Sequence, residues 1–186
     1  MRLVPLVTIG ALLGLPALLQ AQRGAAESKV WMSAGAGGGW TRVSCAICRA
    51  ERRLGPAAYF RVGANLGRGV HLGTEANVWT RDTEEGRDWT RALGAVVYLY
   101  PKPGGPWFVK SGVGYLGYGA SDGLSNGSLG LQLGAGYEVR LGSRWYLSNH
   151  ANLLASSFGS LRVGEDRLVS DVSVTLLQLG IGITRR

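Results

Sequence analysis

A chain of 186 residues, 46% of them hydrophobic, is long enough for one ordinary domain and too apolar for wholesale disorder. Its 30 glycines follow no triplet period, which excludes collagen; with Lys and Glu scarce, the composition suits strands better than helices. The formal net charge of +8 would fit nucleic acid, but behind an export signal it points to an anionic membrane surface.

That signal comes first in the chain. Arg2 precedes an apolar run over 3–19, followed by Ala21. The run is broken by Pro5, Gly14 and Pro16 and falls short of the ~20 residues a spanning helix needs. Residues 1–21 are therefore expected to be a secretory signal cleaved near Ala21, the alternative being an uncleaved anchor. No Cys follows the run, as lipidation would require, and no later run approaches the ~18 apolar residues of a helical span. After a short lead-in, 22–28, residues 29–186 are expected to form a single domain.

Residues 29–40 look like a glycine-rich strand of uncertain facing. The polar segment 41–55 reads as a loop and holds Arg42, Arg49, Arg52 and Arg53 with the lone pair Cys45 and Cys48. A C-x-x-C without a nearby His or second Cys pair cannot complete a four-ligand zinc site, and no βα context favours a redox motif. An oxidising compartment favours a local disulfide, with free thiols as the alternative. Alternation then sets in. Over 57–66, Phe60, Val62, Ala64 and Leu66 oppose Arg61, Gly63 and Asn65, and Gly67-Arg68-Gly69 turns the chain. Over 70–81, Val70, Leu72, Ala76 and Val78 oppose His71, Glu75, Asn77 and Trp79. The charged stretch 82–88 reads as the next loop. Residues 89–100 are apolar on both parities, so their facing cannot be read; Pro101, Pro103 and Pro106 end them, since Pro cannot donate to a ladder.

Over 107–118, Trp107, Val109, Val113 and Tyr115 oppose Lys110, Gly112 and Gly114, and 120–126 reads as a loop. The strongest pattern follows at 127–141. Leu129, Leu131, Leu133, Ala135, Tyr137, Val139 and Leu141 share one parity, with Gln132, Glu138 and Arg140 on the other. Such strict alternation over ~13 residues exceeds the ~5–6 of a soluble strand and the ~9–11 that cross a bilayer at a tilt. After Gly142-Ser143, residues 145–156 set Trp145, Leu147, Ala151 and Leu153 against Ser148, His150 and Asn152. A long connection is expected over 158–170. Residues 172–184 then oppose Leu177, Leu179, Ile181 and Ile183 to Gln178, Gly180 and Gly182.

These segments predict an all-β fold, an eight-stranded antiparallel up-and-down transmembrane β-barrel, whose even strand number closes without free edges. Long polar connections are expected after the first, third, fifth and seventh strands and tight turns after the second, fourth and sixth, the asymmetry of outer loops and periplasmic turns. Trp40, Tyr59, Trp79, Trp89 and Tyr118 fall near one set of strand ends, and Tyr98, Tyr100, Trp107, Tyr137 and Trp145 toward the other, as two interfacial belts would. A soluble lipocalin-like barrel is the rival, but it would leave the apolar parities in water.

Through the segments PWFVKSGVGYLGYG, GSLGLQLGAGYEV and LLQLGIGITRR, the chain resembles the small eight-stranded outer-membrane β-barrels of the OmpA/OmpX type. The resemblance implies residence in the cell outer membrane, contact with its lipids and lipopolysaccharide, and insertion by the barrel-assembly machinery. Such barrels generally end in an aromatic residue used in assembly, where this sequence has Ile183-Thr184-Arg185-Arg186.

An eight-stranded barrel is only wide enough for side chains to fill. Arg61, Asn65, Glu75, Asn77, Lys110, Gln132, Glu138, Arg140, His150, Asn152 and Gln178 are therefore expected to form a packed polar lumen, with Arg61, Lys110 and Arg140 as partners for Glu75 and Glu138. A narrow transporting or ligand-binding lumen is the alternative. A second alternative is similarity to membrane-embedded lipid A deacylases, resting on Ser148, His150 and Glu165; there the position two after His150 is Asn152, whose amide is no nucleophile. Arg42, Arg49, Arg52 and Arg53 could engage lipopolysaccharide phosphates through their guanidinium forks, or simply form a solvated charged loop. The expected role is structural or at the surface, in a monomer without catalysis, cofactor, metal or nucleic acid.

Overall fold

The computed structural model describes residues 30–45, 51–84, 86–121, 124–163 and 166–186, the side chains of 124 and 158–171 excepted. The expected signal and lead-in, 1–28, lie outside the described residues.

Eight antiparallel strands close into a barrel in chain order. They are β1 (Val30–Ser44), β2 (Arg52–Gly67), β3 (Val70–Thr83), β4 (Gly86–Leu99), β5 (Trp107–Gly119), β6 (Leu124–Arg140), β7 (Trp145–Val163) and β8 (Asp166–Arg185). Each strand pairs with the next, and the ring is sealed by β1 against β8, in a register running from Met32 opposite Arg185 to Ser44 opposite Ser173. The expected barrel and its strand count are therefore present.

Period two decides which side chains face out. In β6, Leu129, Leu131 and Leu133 are 79%, 64% and 53% exposed, whereas Gln132 and Glu138 between and beyond them are buried. Every strand repeats this: Met32, Val62, Leu72, Leu93, Val113, Leu153 and Ile181 are exposed apolar residues on the outer wall of the other seven. β4, whose facing the sequence left open, turns Val96 and Tyr98 inward and Leu93 and Leu99 outward.

Three expected loops are corrected. The stretches 41–55, 82–88 and 158–170 largely continue the ladders: β1 and β2 take in 41–44 and 52–55, β3 and β4 are joined by residues 84–85 alone, and β7 and β8 by 164–165. Polar composition does not stop a strand whose backbone bonds are met. Asp82 stands opposite Arg87, with Arg87 Nε donating to Asp82 Oδ1 at 2.7 Å. The asymmetry between the barrel ends thus lies in strands that project at this hairpin end rather than in long loops. At the turn end, Gly67-Arg68-Gly69 takes φ values of 85°, 53° and 80°.

The aromatics form no uniform belts. Tyr59, Trp79, Tyr98, Tyr100 and Tyr118 are buried inside, while Trp107 and Trp145 face outward at the turn end, Trp107 packing edge-on to Tyr137 with centroids 4.6 Å apart. The interior consequently has zones. Toward the hairpin end Trp79, Leu116, Tyr118, Leu154, Val174 and Leu176 form an apolar plug, and Trp79 Nε1 donates to the Gly39 carbonyl at 2.9 Å. Toward the turn end Trp31, Tyr98, Tyr100 and Phe108 cluster. A polar layer lies between them.

Candidate functional site: the charged lumen and the arginine rim

Glu75 on β3, fully buried, is the hub of the polar layer. Lys110 on β5 donates to both its oxygens, at 2.7 and 2.6 Å; the Tyr98 hydroxyl on β4 donates at 2.7 Å and Asn152 Nδ2 on β7 at 3.1 Å. Arg61 on β2 lies with Nε 3.0 Å from Oε2, but no aligned hydrogen bond forms there, so it contributes charge more than direction. Its guanidinium instead stacks over Tyr59, 4.1 Å from the ring centroid. Side chains from four other strands thus converge on one carboxylate, tying β3 to β7 across the lumen.

The long side chains need space, and glycine provides it. A Cβ on Gly134 would lie 2.6 Å from Lys110 Cε and 2.7 Å from the Ala151 carbonyl. Because the second contact is backbone, Gly134→Ala is expected to lower unfolding stability by about 1–3 kcal/mol, the usual cost of overpacking. A variant as stable as the parent in urea titrations would show the wall to be more compliant than drawn.

The structure brings together Arg61, Glu75, Lys110 and Asn152 and separates Glu138 and Arg140 from them. Glu138 accepts from Arg186, which also donates to the Tyr100 hydroxyl. Arg140, expected in the lumen, is exposed at the turn end, and its Nε donates to the Gly142 carbonyl at 2.8 Å. Parity was right but depth was not: the residue lies at the mouth, where water and the turn satisfy it. Tyr98 and Arg186 were missed, although Arg186 carries the inward parity of Gly182 and Thr184.

His150 points inward and packs edge-on against Tyr59, centroids 4.4 Å apart. Neither its nitrogens nor Ser148 Oγ has a hydrogen-bond partner, so these two do not form a nucleophile–base pair. Glu165 lies outside the described residues. Among the described residues no three of His, Cys, Asp and Glu gather as a metal site requires.

The arginine rim occupies the hairpin end of β1 and β2. Arg42 and Arg52 are exposed and stand directly opposite one another in the ladder. Arg53, of the other parity, is turned inward, and its Nη1 meets Asp88 Oδ2 at 2.5 Å, so its charge is already matched. Arg49 and Cys48 lie outside the described residues; Cys45 is disulfide-bonded.

No protein-family profile and no curated protein sequence matches the chain. Solved structures do. Neisserial surface protein A is similar at a TM-score of 0.58 and 13% identity, over 86% of this chain and 99% of that one. Ail, the attachment invasion locus protein of Yersinia pestis, is similar at 0.54 and 13%, over 86% and 99%. Outer membrane protein AlkL, solved in lipid bilayers, is similar at 0.52 and 12%, over 88% and 94%. A second structure of Ail, similar at 0.50 and 11% over 84% and 99%, is of its complex with the heparin analogue sucrose octasulfate. The chain has the fold of the small eight-stranded outer-membrane β-barrels.

Proposed function

We propose that the chain is an integral protein of the cell outer membrane that serves as an envelope scaffold and a surface for polyanions, without catalysis. The observation that carries this is an apolar outer parity on all eight strands around a filled lumen. In water such a belt would be an aggregation site; in lipid it is the solvated surface. The turn end would then face the periplasm and the projecting hairpins the exterior. Refolded protein is expected to migrate differently on gels before and after heating, and the native protein to fractionate with outer membranes. A chain that is soluble and monodisperse without detergent would sink the proposal.

The apolar plug supports a scaffold over a conduit. Planar-bilayer recordings are expected to show no discrete conductance, and lipid A incubated with the refolded protein to keep its acyl chains. Steady single-channel steps, or released fatty acid, would move the assignment to a transporter or an esterase.

The surface role rests on Arg42 and Arg52. Like charges directly opposite in a ladder destabilise it unless a counter-ion bridges them, and guanidinium forks suit phosphate and sulfate. Lipopolysaccharide and sulfated sugars both present such groups. The double variant Arg42→Ser, Arg52→Ser is expected to fold normally and to bind lipopolysaccharide and sucrose octasulfate at least about tenfold more weakly, the worth of one charge-assisted bond. Unchanged retention would remove the rim from the proposal.

A further inference from the structure

The two ends of the barrel differ. Where the hairpin end is plugged, the turn end opens into a recess of about 770 Å³ between the turns and the last residues of the chain. Four arginines line it, Arg68, Arg144, Arg185 and Arg186, with no Asp or Glu among the lining residues. Arg68 sits in the β2–β3 turn and Arg144 in the β6–β7 turn. In a ring of eight strands those turns stand four strands apart, so the two arginines line the recess from opposite sides of the mouth.

Two of the four are already engaged. Arg186 donates to Glu138 and the Tyr100 hydroxyl and stacks 4.5 Å over the Tyr100 ring, and Arg185 lies 5.8 Å from the Trp145 ring. Arg68 and Arg144 have no acceptor among the described residues. Arg68 is also in a backbone conformation that costs it energy: at φ 53° it is the one non-glycine residue with positive φ among those described. Gly or Asn would hold the turn with less strain, so fold stability does not explain an arginine there. Below, Arg186 Nε is buried without a partner. Asn65 has its carbonyl oxygen taken by the Gly67 N–H at 2.8 Å, leaving its amide donors to the recess. The recess therefore offers donors and positive charge, and its edge runs onto the outward-facing apolar Val30 and Met32.

We propose that this vestibule binds an organic phosphate, its anion held between Arg68 and Arg144 and its substituent accommodated along Val30 and Met32. Guanidinium forks match phosphate oxygens in pairs, and a recess of this size exceeds what a bare phosphate fills. The ligand is either the head group of an anionic phospholipid or a soluble phosphate ester. That the recess faces the periplasm rests on the membrane placement proposed above, but its binding chemistry does not.

Titration calorimetry of the refolded barrel in zwitterionic detergent tests this, with inorganic phosphate, glycerol 3-phosphate and a short-chain phosphatidylglycerol as probes. At least one organic phosphate is expected to bind about tenfold or more tightly than inorganic phosphate. Binding of glycerol 3-phosphate identifies a soluble ester; binding of the lipid alone identifies a head group. Arg68→Gly is expected to weaken binding about 10- to 100-fold while raising the thermal midpoint of the ligand-free barrel, since it relieves the turn. A misfolded variant could not do both. Arg144→Ser is expected to weaken binding similarly. Absence of binding by both organic phosphates, or equal affinity in the Arg68→Gly, Arg144→Ser double variant, overturns the proposal. Fractionation away from the outer membrane would overturn the placement and leave a measured affinity standing.

Discussion

Replacing Glu75 by Gln is expected to cost about 3–5 kcal/mol of unfolding stability, because it leaves buried cations without a counter-charge. Lys110 and Arg61 both lean on this carboxylate, and neither has another acidic partner among the described residues. Lys110→Met is expected to behave quite differently, changing stability by no more than about 1 kcal/mol. It removes the surplus cation and leaves Glu75 matched by Arg61, with Tyr98 and Asn152 still donating. Urea unfolding of the refolded barrel in lipid vesicles, with a common slope for all variants, makes the comparison. Equal losses in the two variants would show that the cluster acts as an indivisible unit rather than as one carboxylate with a cation to spare.

The apolar plug gives the second large effect. Trp79 is fully buried among Leu116, Leu154, Val174 and Leu176, and truncating it empties the centre of that cluster. Trp79→Ala is expected to destabilise by about 3–5 kcal/mol, the transfer loss plus the cavity. Trp79→Phe keeps most of the volume and loses the bond to the Gly39 carbonyl, for about 1–2 kcal/mol. The ratio between the two is the informative quantity. Were the alanine variant as mild as the phenylalanine one, the neighbouring side chains would have to collapse into the gap, and the plug would be far softer than its packing indicates.

The barrel was legible because its signal is periodic and long. Leu129 to Leu141 could satisfy period two only as a strand, and eight such segments with turns between them leave few closures. Facing was legible for the same reason wherever one parity was polar, which is why Arg61, Glu75, Lys110 and Asn152 were placed inside. It failed where both parities are apolar. Tyr98 supplies a hydrogen bond to Glu75 from a strand whose two faces look alike in sequence. Depth along the barrel was harder still. Alternation says in or out but not how far down, so Arg140 was placed beside Glu138 when it lies at the rim, and Trp79 was placed at an interface when it fills the plug. Strand ends were misjudged because charged residues such as Asp82 and Arg87 pair across a ladder as readily as they solvate a loop.

The seam between β1 and β8 sets the timetable of assembly. Met32 must find Arg185, and Ser44 must find Ser173, across nearly the whole described chain, before β1 and β8 lose their open edges. Contacts that distant in sequence form slowly, since loop closure is opposed by entropy until the last pairing rewards it. Until then two unpaired ladders are exposed, each a template for another chain. The interval between synthesis and sealing is accordingly the period in which those two edges invite pairing with another chain.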